Sequence, residues 1–518
     1  MKPFLMIIAL LLTSGCQLSL GTAAQSLPPQ QATMPAIRIA SASTQPPREM
    51  RPVPTATAAD TATPSVEQYT CAQPAPRLSQ HRVVANVDYA GRSVDVAQSV
   101  LYVNRTGDTL QTLVMAVEAN LAPDVWHMGQ VRVEGQDAPY DLDVNRLTIE
   151  LPAPFPHGCA LTLDLSFRLN LPRIGQGLMA YKGYLGYNER QMNLGHWLPT
   201  EAVYRSGDWI VNEPTSIGEQ MVLEQADWDV TLNISGSSPG LLVAAPGEMT
   251  QNTPSQWQFR FPAAREFSVS LSDAFRLQRQ MTAGGTVVEL FHFPDAVRAV
   301  DGDLVDGAAH ALEQAARSFE LFERLFGPYP YKRLIVVQGD FPDGMEFSGL
   351  VFVSTNWFYS YKGGADNYLT LITVHEVSHQ WWYAQVGNDA ALMPWLDEAL
   401  ATYSEYLFYE REYPNLRQWW WSFRVGYYNP QGMVDSVVYE FGSPRDYINA
   451  VYLRGVQMLH NVREDIGDRA FFDLLARYAR EGSGRIATSQ LFWSLFTDDE
   501  YQQTADTRGQ FFRDPDLR

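Results

Sequence analysis

The sequence predicts two folded domains, an N-terminal all-β domain of sandwich type and a C-terminal α+β domain that carries a metal site. Short runs that alternate apolar and polar residues extend from about 80 to 280, with Gly, Pro, Asn and Asp between them. Apolar residues at helical spacing begin near 303. A His-Glu-x-x-His motif follows at 375–379. We therefore place the β domain at 71–283 and the α+β domain at 284–518.

The chain opens with a segment typical of export. Lys2 supplies one positive charge, Phe4 to Leu12 is an apolar run, and small residues lead to Cys16. The run is too short to span a bilayer, so residues 1–16 are predicted to be a secretory signal. The Ser-Gly-Cys ending resembles a bacterial lipobox, which would make Cys16 a lipidated membrane anchor on an extracytoplasmic lipoprotein. The alternative is ordinary cleavage near Ala23-Ala24, which predicts a periplasmic or secreted protein.

Residues 17–70 have a composition typical of disorder. They are rich in Pro, Ala, Thr, Ser and Gln and contain almost no aromatic residues, so they bury too little apolar surface to offset the entropy lost on ordering. We predict a tether that holds the folded domains away from a membrane. A leader without a spacing role is the alternative.

Cysteine content and charge narrow the possible environments and partners. Apart from Cys16 the chain has only Cys71 and Cys159, which could pair under oxidising conditions or remain as two free buried thiols. The formal net charge of −20 argues against a nucleic-acid partner. The sequence leaves the oligomeric state open.

The two domains differ in the period of their apolar residues. In the first, residues 82–89, 146–151, 161–167 and 228–234 alternate with period two, as half-buried strands do. In the second, apolar residues from Leu304 to Leu325 recur at helical spacing and end at Gly327-Pro328. Residues 333–338 and 349–353 then indicate buried strands, and helical patterns dominate from 395 onward.

The His-Glu-x-x-His motif lies in a stretch, 368–386, that has no Gly or Pro and has apolar residues at helical spacing. On a helix His375 and His379 share one face and can converge on one Zn²⁺, with Glu376 beside them as a general base. Glu398 follows His379 after eighteen residues, at the start of a second predicted helix. It would be the third ligand, which leaves one position open for water. Two imidazoles and one carboxylate leave the metal formally +1 and acidic.

These residues resemble the aminopeptidase-N-type gluzincin metallopeptidases, the family that includes leukotriene A hydrolase. The spacing of His375, His379 and Glu398 is that family's zinc pattern, and 326–331, Phe-Gly-Pro-Tyr-Pro-Tyr, is similar to its approach to the active-site sheet. The resemblance spans roughly 80 to 500. It implies one Zn²⁺ per chain, peptide substrates and a thermolysin-like fold for the catalytic domain.

The resemblance also implies roles for residues outside the zinc pattern. Tyr452, in Val-Tyr-Leu-Arg-Gly, matches the tyrosine that donates a hydrogen bond to the tetrahedral intermediate, with Tyr447 five residues before it. Glu346, in Gly-Met-Glu-Phe, matches the glutamate that binds the substrate α-amine, although Phe347 stands where the family has Asn. Gln191 is in roughly the right place for a second amine-binding residue from the β domain.

One further carboxylate has two open interpretations. Glu405 lies seven residues after Glu398, on the same predicted helical face. It is either a residue that orients a ligand imidazole or a solvated surface carboxylate.

Together these features predict a zinc-dependent aminopeptidase. A thermolysin-like endopeptidase would use the same chemistry without an amine anchor. A non-catalytic surface protein that keeps zinc for structure or peptide capture is a second alternative, but structural zinc sites usually have four protein ligands. A leukotriene-type epoxide hydrolase rests on family analogy alone.

Overall fold

A computed structural model of the chain describes residues 69, 71, 76–175, 182–342 and 344–518. The predicted signal at 1–16, the proposed anchor Cys16 and nearly all of the predicted tether lie outside the described residues. The predicted tether, which ends at 70, extends too far, because Tyr69 already belongs to the folded domain. Its side chain is buried and its hydroxyl donates a hydrogen bond to the carbonyl oxygen of Ala153 at 2.8 Å. The folded domain therefore includes Tyr69, two residues before the predicted boundary at 71.

The first domain consists of eighteen strands and one short 3₁₀ helix, Glu118–Leu121, among the described residues. The strands are β1 Gln80–Asp88, β2 Ser93–Val103, β3 Leu110–Ala116, β4 Trp126–Val133, β5 Gln136–Asp137, β6 Tyr140–Asp143, β7 Arg146–Phe155, β8 Ala160–Asn170, β9 Leu185–Tyr187, β10 Met192–Leu194, β11 Thr200–Glu201, β12 Val203–Arg205, β13 Asp208–Ile210, β14 Ala226–Ser235, β15 Leu242–Ala244, β16 Glu248–Thr253, β17 Gln256–Ala264 and β18 Val269–Ser272.

These strands form one large sheet and smaller sheets that share its core. The large sheet has the order β16-β17-β14-β1-β2-β8-β4-β5, in which β1 pairs in parallel with β14 and antiparallel with β2. The four-stranded sheets are β11-β3-β7-β6 and β15-β18-β10-β9, and β12 pairs with β13. Residues along β1 alternate between exposed and buried, as the period of two predicts. Val83, Ile149 and Leu194, from three different sheets, pack in one hydrophobic core.

Cys71 and Cys159 form a disulfide, the first of the two possibilities that the sequence left open. The bond joins the start of the described chain to the residue just before β8. It closes a loop over a sequence separation of 88 residues.

The second domain begins with a mixed sheet. Its strands are β19 Arg276–Met281, β20 Val287–His292, β23 Arg333–Gly339 and β24 Leu350–Ser354, in that order, and a separate hairpin joins β21 Val297–Val300 to β22 Asp303–Asp306. Strands β20, β23 and β24 run in parallel. Strand β19 lies before the predicted boundary at 284 but pairs with β20, so the sheet of the second domain starts earlier than we predicted.

Helices fill the rest of the second domain. They are α1 Gly307–Phe326, α2 Thr355–Ser360, α3 Tyr368–Ser378, α4 Trp395–Glu412, α5 Arg417–Trp420, α6 Pro444–Tyr447, α7 Arg454–Ile466, α8 Asp468–Gly482, α9 Ser489–Ser494, α10 Asp498–Gln503 and α11 Ala505–Phe511. Short 3₁₀ turns lie at Pro294–Ala296, Pro414–Leu416, Gly426–Tyr428 and Val438–Glu440, and π-helical turns at Gln380–Gln385, Trp421–Val425 and Ile448–Leu453. The prediction of a β domain followed by an α+β domain is thus confirmed.

The start of α1 differs from the prediction. Leu304 was assigned to the helix, but it lies in β22 and is 76% exposed. The helix starts at Gly307 because the Asp306 carboxylate accepts a hydrogen bond from the backbone N–H of Ala309 and so caps the first turn. Within the described residues, no helix is both long and apolar enough to cross a bilayer.

Candidate active site

Helix α3 presents the two histidines of the motif. Asn367 caps its start by accepting a hydrogen bond from the backbone N–H of Thr370. Every residue from Leu369 to Ser378 is buried, so the helix lies inside the second domain rather than on its surface. The α-helix ends at Ser378, a π-helical turn follows at Gln380–Gln385, and the backbone leaves helical geometry at Trp382 and Tyr383 although no Gly or Pro lies between 368 and 386.

Three ligand atoms converge between α3 and α4. Nε2 of His375 lies 3.1 Å from Nε2 of His379, and Oε2 of Glu398 lies 3.3 and 3.7 Å from the same two atoms. Oε2 of Glu398 is buried without a hydrogen bond of ordinary geometry. An unsatisfied buried carboxylate oxygen facing two imidazole nitrogens is costly unless a cation lies between them. This donor set fits Zn²⁺ bound by three protein ligands.

His375 is oriented by the carboxylate whose role the sequence left open. Nδ1 of His375 lies 2.9 Å from Oε1 of Glu405, which is fully buried. Arg424 holds the Glu405 carboxylate with two hydrogen bonds of 2.9 Å, and the indole N–H of Trp420 donates a third at 3.3 Å. Glu405 is therefore not a solvated surface residue. It directs the Nε2 lone pair of His375 toward the cluster.

His379 is oriented by a residue that the sequence analysis missed. Its Nδ1 lies 2.6 Å from Oδ1 of Asp397 and 3.0 Å from the carbonyl oxygen of Trp382. Its Nε2 then faces the other ligand atoms. Asp397 is adjacent to Glu398 in the sequence, but no spacing rule distinguishes it from an ordinary acidic residue in the first turn of a helix.

Glu376 lies against the segment that carries Glu346. A Cβ on residue 344 would lie 2.0 Å from Oε1 of Glu376, closer than non-bonded contacts of Cβ atoms in proteins. Only glycine leaves the carboxylate its present position. Glu376 is buried and lines the same cavity as the three ligand residues, as a base acting on a metal-associated water requires.

The two tyrosines close one side of this cavity. The ring of Tyr452 is parallel to that of His375 to within 6°, with ring centroids 6.0 Å apart. Tyr447 packs edge-on against Tyr452 at 5.5 Å. Both rings line the cavity together with the ligand residues, and Ile448 lies between them in the sequence.

The predicted amine anchor reaches the cavity, but its predicted partner does not. Glu346 is buried in the lining, next to Glu376. Gln191 lies elsewhere: it is bonded to Ser270 and to the backbone of Gln338 and Asp340.

The β domain instead contributes Glu219, which sequence reasoning missed. Glu219 lines the cavity and lies close enough to Glu346 to raise its pKa. Its neighbour Gly218 adopts φ +68°, and a Cβ there would approach the hydroxyl of Tyr447 to 2.9 Å. The absence of a side chain at Gly218 thus lets this loop contact Tyr447 of the second domain.

Phe347, which replaces the family's Asn, has a packing role. Its ring makes edge contacts with His196 at 4.8 Å and Tyr184 at 5.7 Å, both from the β domain. It therefore belongs to the apolar contact between the two domains.

The cavity carries an excess of buried negative charge. Burial opposes protonation of His375, but the carboxylates of Glu398 and Glu405 beside its two ring nitrogens outweigh it and raise its pKa to about 10. Burial, together with the neighbouring carboxylates of Glu376 and Glu398, raises the pKa of Glu346 well above its ordinary value. A site of this kind suits positively charged ligands, such as a divalent metal ion and an ammonium group.

The geometry is that expected of a metallopeptidase-type centre: the predicted base and the predicted hydrogen-bond donor lie beside three residues that could hold a metal ion, between a β domain and a helical domain. Residues 310–508 match the peptidase family M1 domain. This match confirms the predicted resemblance to the zinc metallopeptidases, a family that implies a catalytic zinc ion.

Relatives and solved structures agree with this assignment. Human endoplasmic reticulum aminopeptidase 1 is 26% identical over 42% of this chain and 24% of its own length. The thyrotropin-releasing hormone-degrading ectoenzyme of Rattus norvegicus is 32% identical over 27% of this chain and 13% of its own length. The matched region thus spans a quarter or less of these two proteins.

The structural neighbours cover nearly the whole described fold. The M1 zinc metallopeptidase of Deinococcus radiodurans superposes with a TM-score of 0.58 at 17% identity, over 84% of this chain and 95% of that one. A mutant of it bound to a Tyr-Ser-Ala substrate gives 0.59 at 16% identity, over 85% and 97%. At this identity the likeness concerns the fold.

Proposed function

We propose that the protein is a zinc-dependent aminopeptidase that removes single residues from the free N-terminus of peptides. One observation carries the proposal. His375, His379 and Glu398 converge on one point, and the buried carboxylate of Glu346 and the half-buried carboxylate of Glu219 line the same cavity. The first group suits a metal ion, and the second suits the α-ammonium group of a peptide.

The residues around the ligands divide the chemistry between them. When bound, zinc acidifies a water molecule and polarises the scissile carbonyl. Glu376 accepts the proton of the attacking water and transfers it to the leaving amine. The Tyr452 hydroxyl donates a hydrogen bond to the developing oxyanion. Because Glu405 and Asp397 engage the Nδ1 atoms, both imidazoles keep their Nε2 lone pairs directed at the metal.

The amine anchor supports an exopeptidase over an endopeptidase. An endopeptidase binds uncharged chain on both sides of the scissile bond and needs no pair of carboxylates beside it. Here burial and the neighbouring carboxylates disfavour the charged form of Glu346, and a protonated α-amine would stabilise that form on binding. The aminopeptidase relatives and the peptide-bound structural neighbour support the same substrate class.

The proposal is tested with a panel of aminoacyl-naphthylamides, with and without chelator. We expect hydrolysis that chelator abolishes and added Zn²⁺ restores. The Glu376→Gln variant should retain one zinc per chain and lose about 10²–10⁴-fold in kcat, the usual contribution of a general base. A fully active Glu376→Gln protein would rule out this residue as the base.

We also propose that the protein is exported and anchored to a membrane through a lipid on Cys16. The signal-like segment at 1–16 supports export, and the Cys71–Cys159 disulfide is the kind of bond that persists in oxidising compartments. Metabolic labelling with palmitate tests the anchor. The wild-type chain should be labelled and recovered with membranes, and Cys16→Ser should be neither; labelling of Cys16→Ser would contradict the proposal.

A further inference from the structure

The backbone just after Glu346 is bonded by buried side chains at three successive residues. The Gln380 side chain donates from Nε2 to the carbonyl oxygen of Phe347 at 3.1 Å and accepts at Oε1 from the N–H of Gly349 at 2.8 Å. Between them, the N–H of Ser348 donates to Oε1 of Glu266 at 2.5 Å. Gln380 and Glu266 are both buried. The turn that follows the amine anchor is thus held by two side chains from different segments, Gln380 and Glu266.

Both contacts lead back to the metal centre. Gln380 is the residue directly after the ligand His379. Glu266 accepts a second hydrogen bond, at Oε2, from the hydroxyl of Tyr383 at 2.7 Å, and Tyr383 lies four residues beyond His379. Gln380, which follows the ligand His379, is thus hydrogen-bonded to Phe347, which follows the anchor Glu346. A second connection runs from Ser348 through Glu266 to Tyr383.

Further contacts hold this connection in place. The Tyr329 hydroxyl donates to Oε1 of Gln380 at 3.3 Å. The Arg265 guanidinium donates to the carbonyl oxygen of Tyr383 at 2.6 Å and to that of Gln385 at 3.0 Å. Gly349 adopts φ +68°, and a Cβ there would lie 2.9 Å from neighbouring side chains of the β domain. The β domain and both segments of the site thus form one packed unit.

We propose that Gln380 and Glu266 are positioning residues that set the distance between the metal centre and the carboxylate of Glu346. This inference rests on the proposed aminopeptidase function. An exopeptidase cuts only the first peptide bond when its amine anchor lies at a fixed distance from the metal. A displacement of about 1 Å in such a constellation lowers the rate by about 100-fold.

The test compares two buried glutamines whose side chains each take part in three hydrogen bonds. Gln380→Met removes the three hydrogen bonds beside the site while keeping a similar volume. Gln191→Met is the control, because Gln191 is also fully buried and also makes three hydrogen bonds, but does not line the cavity. For each protein we would measure kcat and KM on one peptide in free-amine and N-acetylated forms, together with bound zinc and Tm.

We expect Gln380→Met to retain zinc and to lose about tenfold or more of the wild-type preference for the free-amine peptide, mainly through KM. Gln191→Met should lower Tm but keep the preference. An unchanged preference in Gln380→Met, or an equal loss in Gln191→Met, would overturn the inference.

Two further measurements keep the outcome decisive. Tyr383→Phe deletes only the hydroxyl that bonds to Glu266, and it decides the question if Gln380→Met does not fold. It should shift the preference in the same direction by about two- to fivefold, since one hydrogen bond to a charged group is lost; no shift would overturn the inference. A wild-type protein without any preference for the free amine would instead refute the proposed aminopeptidase function.

Discussion

Replacing Gly344 by Ala tests how tightly Glu376, the proposed catalytic base, is held. The new Cβ would lie 2.0 Å from Oε1 of Glu376 and 2.5 Å from its Cδ. A comfortable carbon–oxygen contact needs about 3.3 Å, so either the carboxylate or the Gly344 segment must move by about 1 Å or more. A shift of that size in a reacting group costs about 100-fold in rate.

The assay is steady-state hydrolysis of an aminoacyl-naphthylamide, with zinc content measured on the same samples. We expect Gly344→Ala to keep its zinc and to lose about 100-fold in kcat/KM. Movement of Glu376 would appear in kcat, and movement of the segment with Glu346 would appear in KM. Gly442→Ala is the control, because Gly442 is exposed and a Cβ there meets nothing within 4 Å. Wild-type kinetics in Gly344→Ala would refute the geometry assigned to Glu376.

Three other predictions follow from the structure. Glu405→Gln should weaken zinc affinity by about 10- to 100-fold in a chelator competition, because it loosens the orientation of His375; unchanged affinity would contradict that role. Replacing Cys71 and Cys159 by Ala should lower the free energy of unfolding by about 4 kcal/mol and leave kcat/KM unchanged, since the disulfide closes a long loop and neither cysteine lines the cavity; equal stability in denaturant would count against the bond. Burial, with Lys182 nearby, lowers the pKa of His196 to about 3, so the unfolded chain binds its proton first as pH falls below about 6.5. Stability should therefore decrease from pH 7.5 to 5, and His196→Gln should reduce that decrease by up to about 2 kcal/mol; parallel pH profiles of the two proteins would contradict this.

The proposed zinc ligands were predictable because their sequence pattern is short and specific. His375 and His379 are four residues apart and share one helical face, and Glu398 lies in the first turn of the next long helix, which packs against α3. Glu346 and Tyr452 could be assigned only through the family resemblance. Nothing in the residues around either one distinguishes it from other buried carboxylates and tyrosines.

The missed residues depend on contacts between distant segments. Glu219 reaches the cavity on a loop of the β domain, and its approach depends on the fit between Gly218 and Tyr447. The burial of Glu405 could not be predicted from its spacing, because it depends on Arg424. Arg424 lies after α5 and donates a hydrogen bond to the Glu405 carboxylate. The periodicity of one segment does not predict which residue of a distant segment will contact it.

The errors in the helices have similar causes. No Gly or Pro marks the end of α3, yet the backbone kinks after it at Trp382 and Tyr383, where Arg265 of the β domain donates hydrogen bonds to the carbonyl oxygens of Tyr383 and Gln385. Leu304 continues the apolar spacing of α1, but the cap at Asp306 starts the helix after it. In both cases a specific hydrogen bond outweighs the local pattern.

The most direct test of the account is mass analysis of the products from one peptide, supplied with a free or an acetylated N-terminus. The account predicts stepwise loss of single residues from the free-amine peptide, with no cleavage of the acetylated one, and loss of all cleavage when zinc is removed. Internal fragments from both peptides would contradict the assignment of Glu346 and Glu219 as an amine anchor and would identify an endopeptidase.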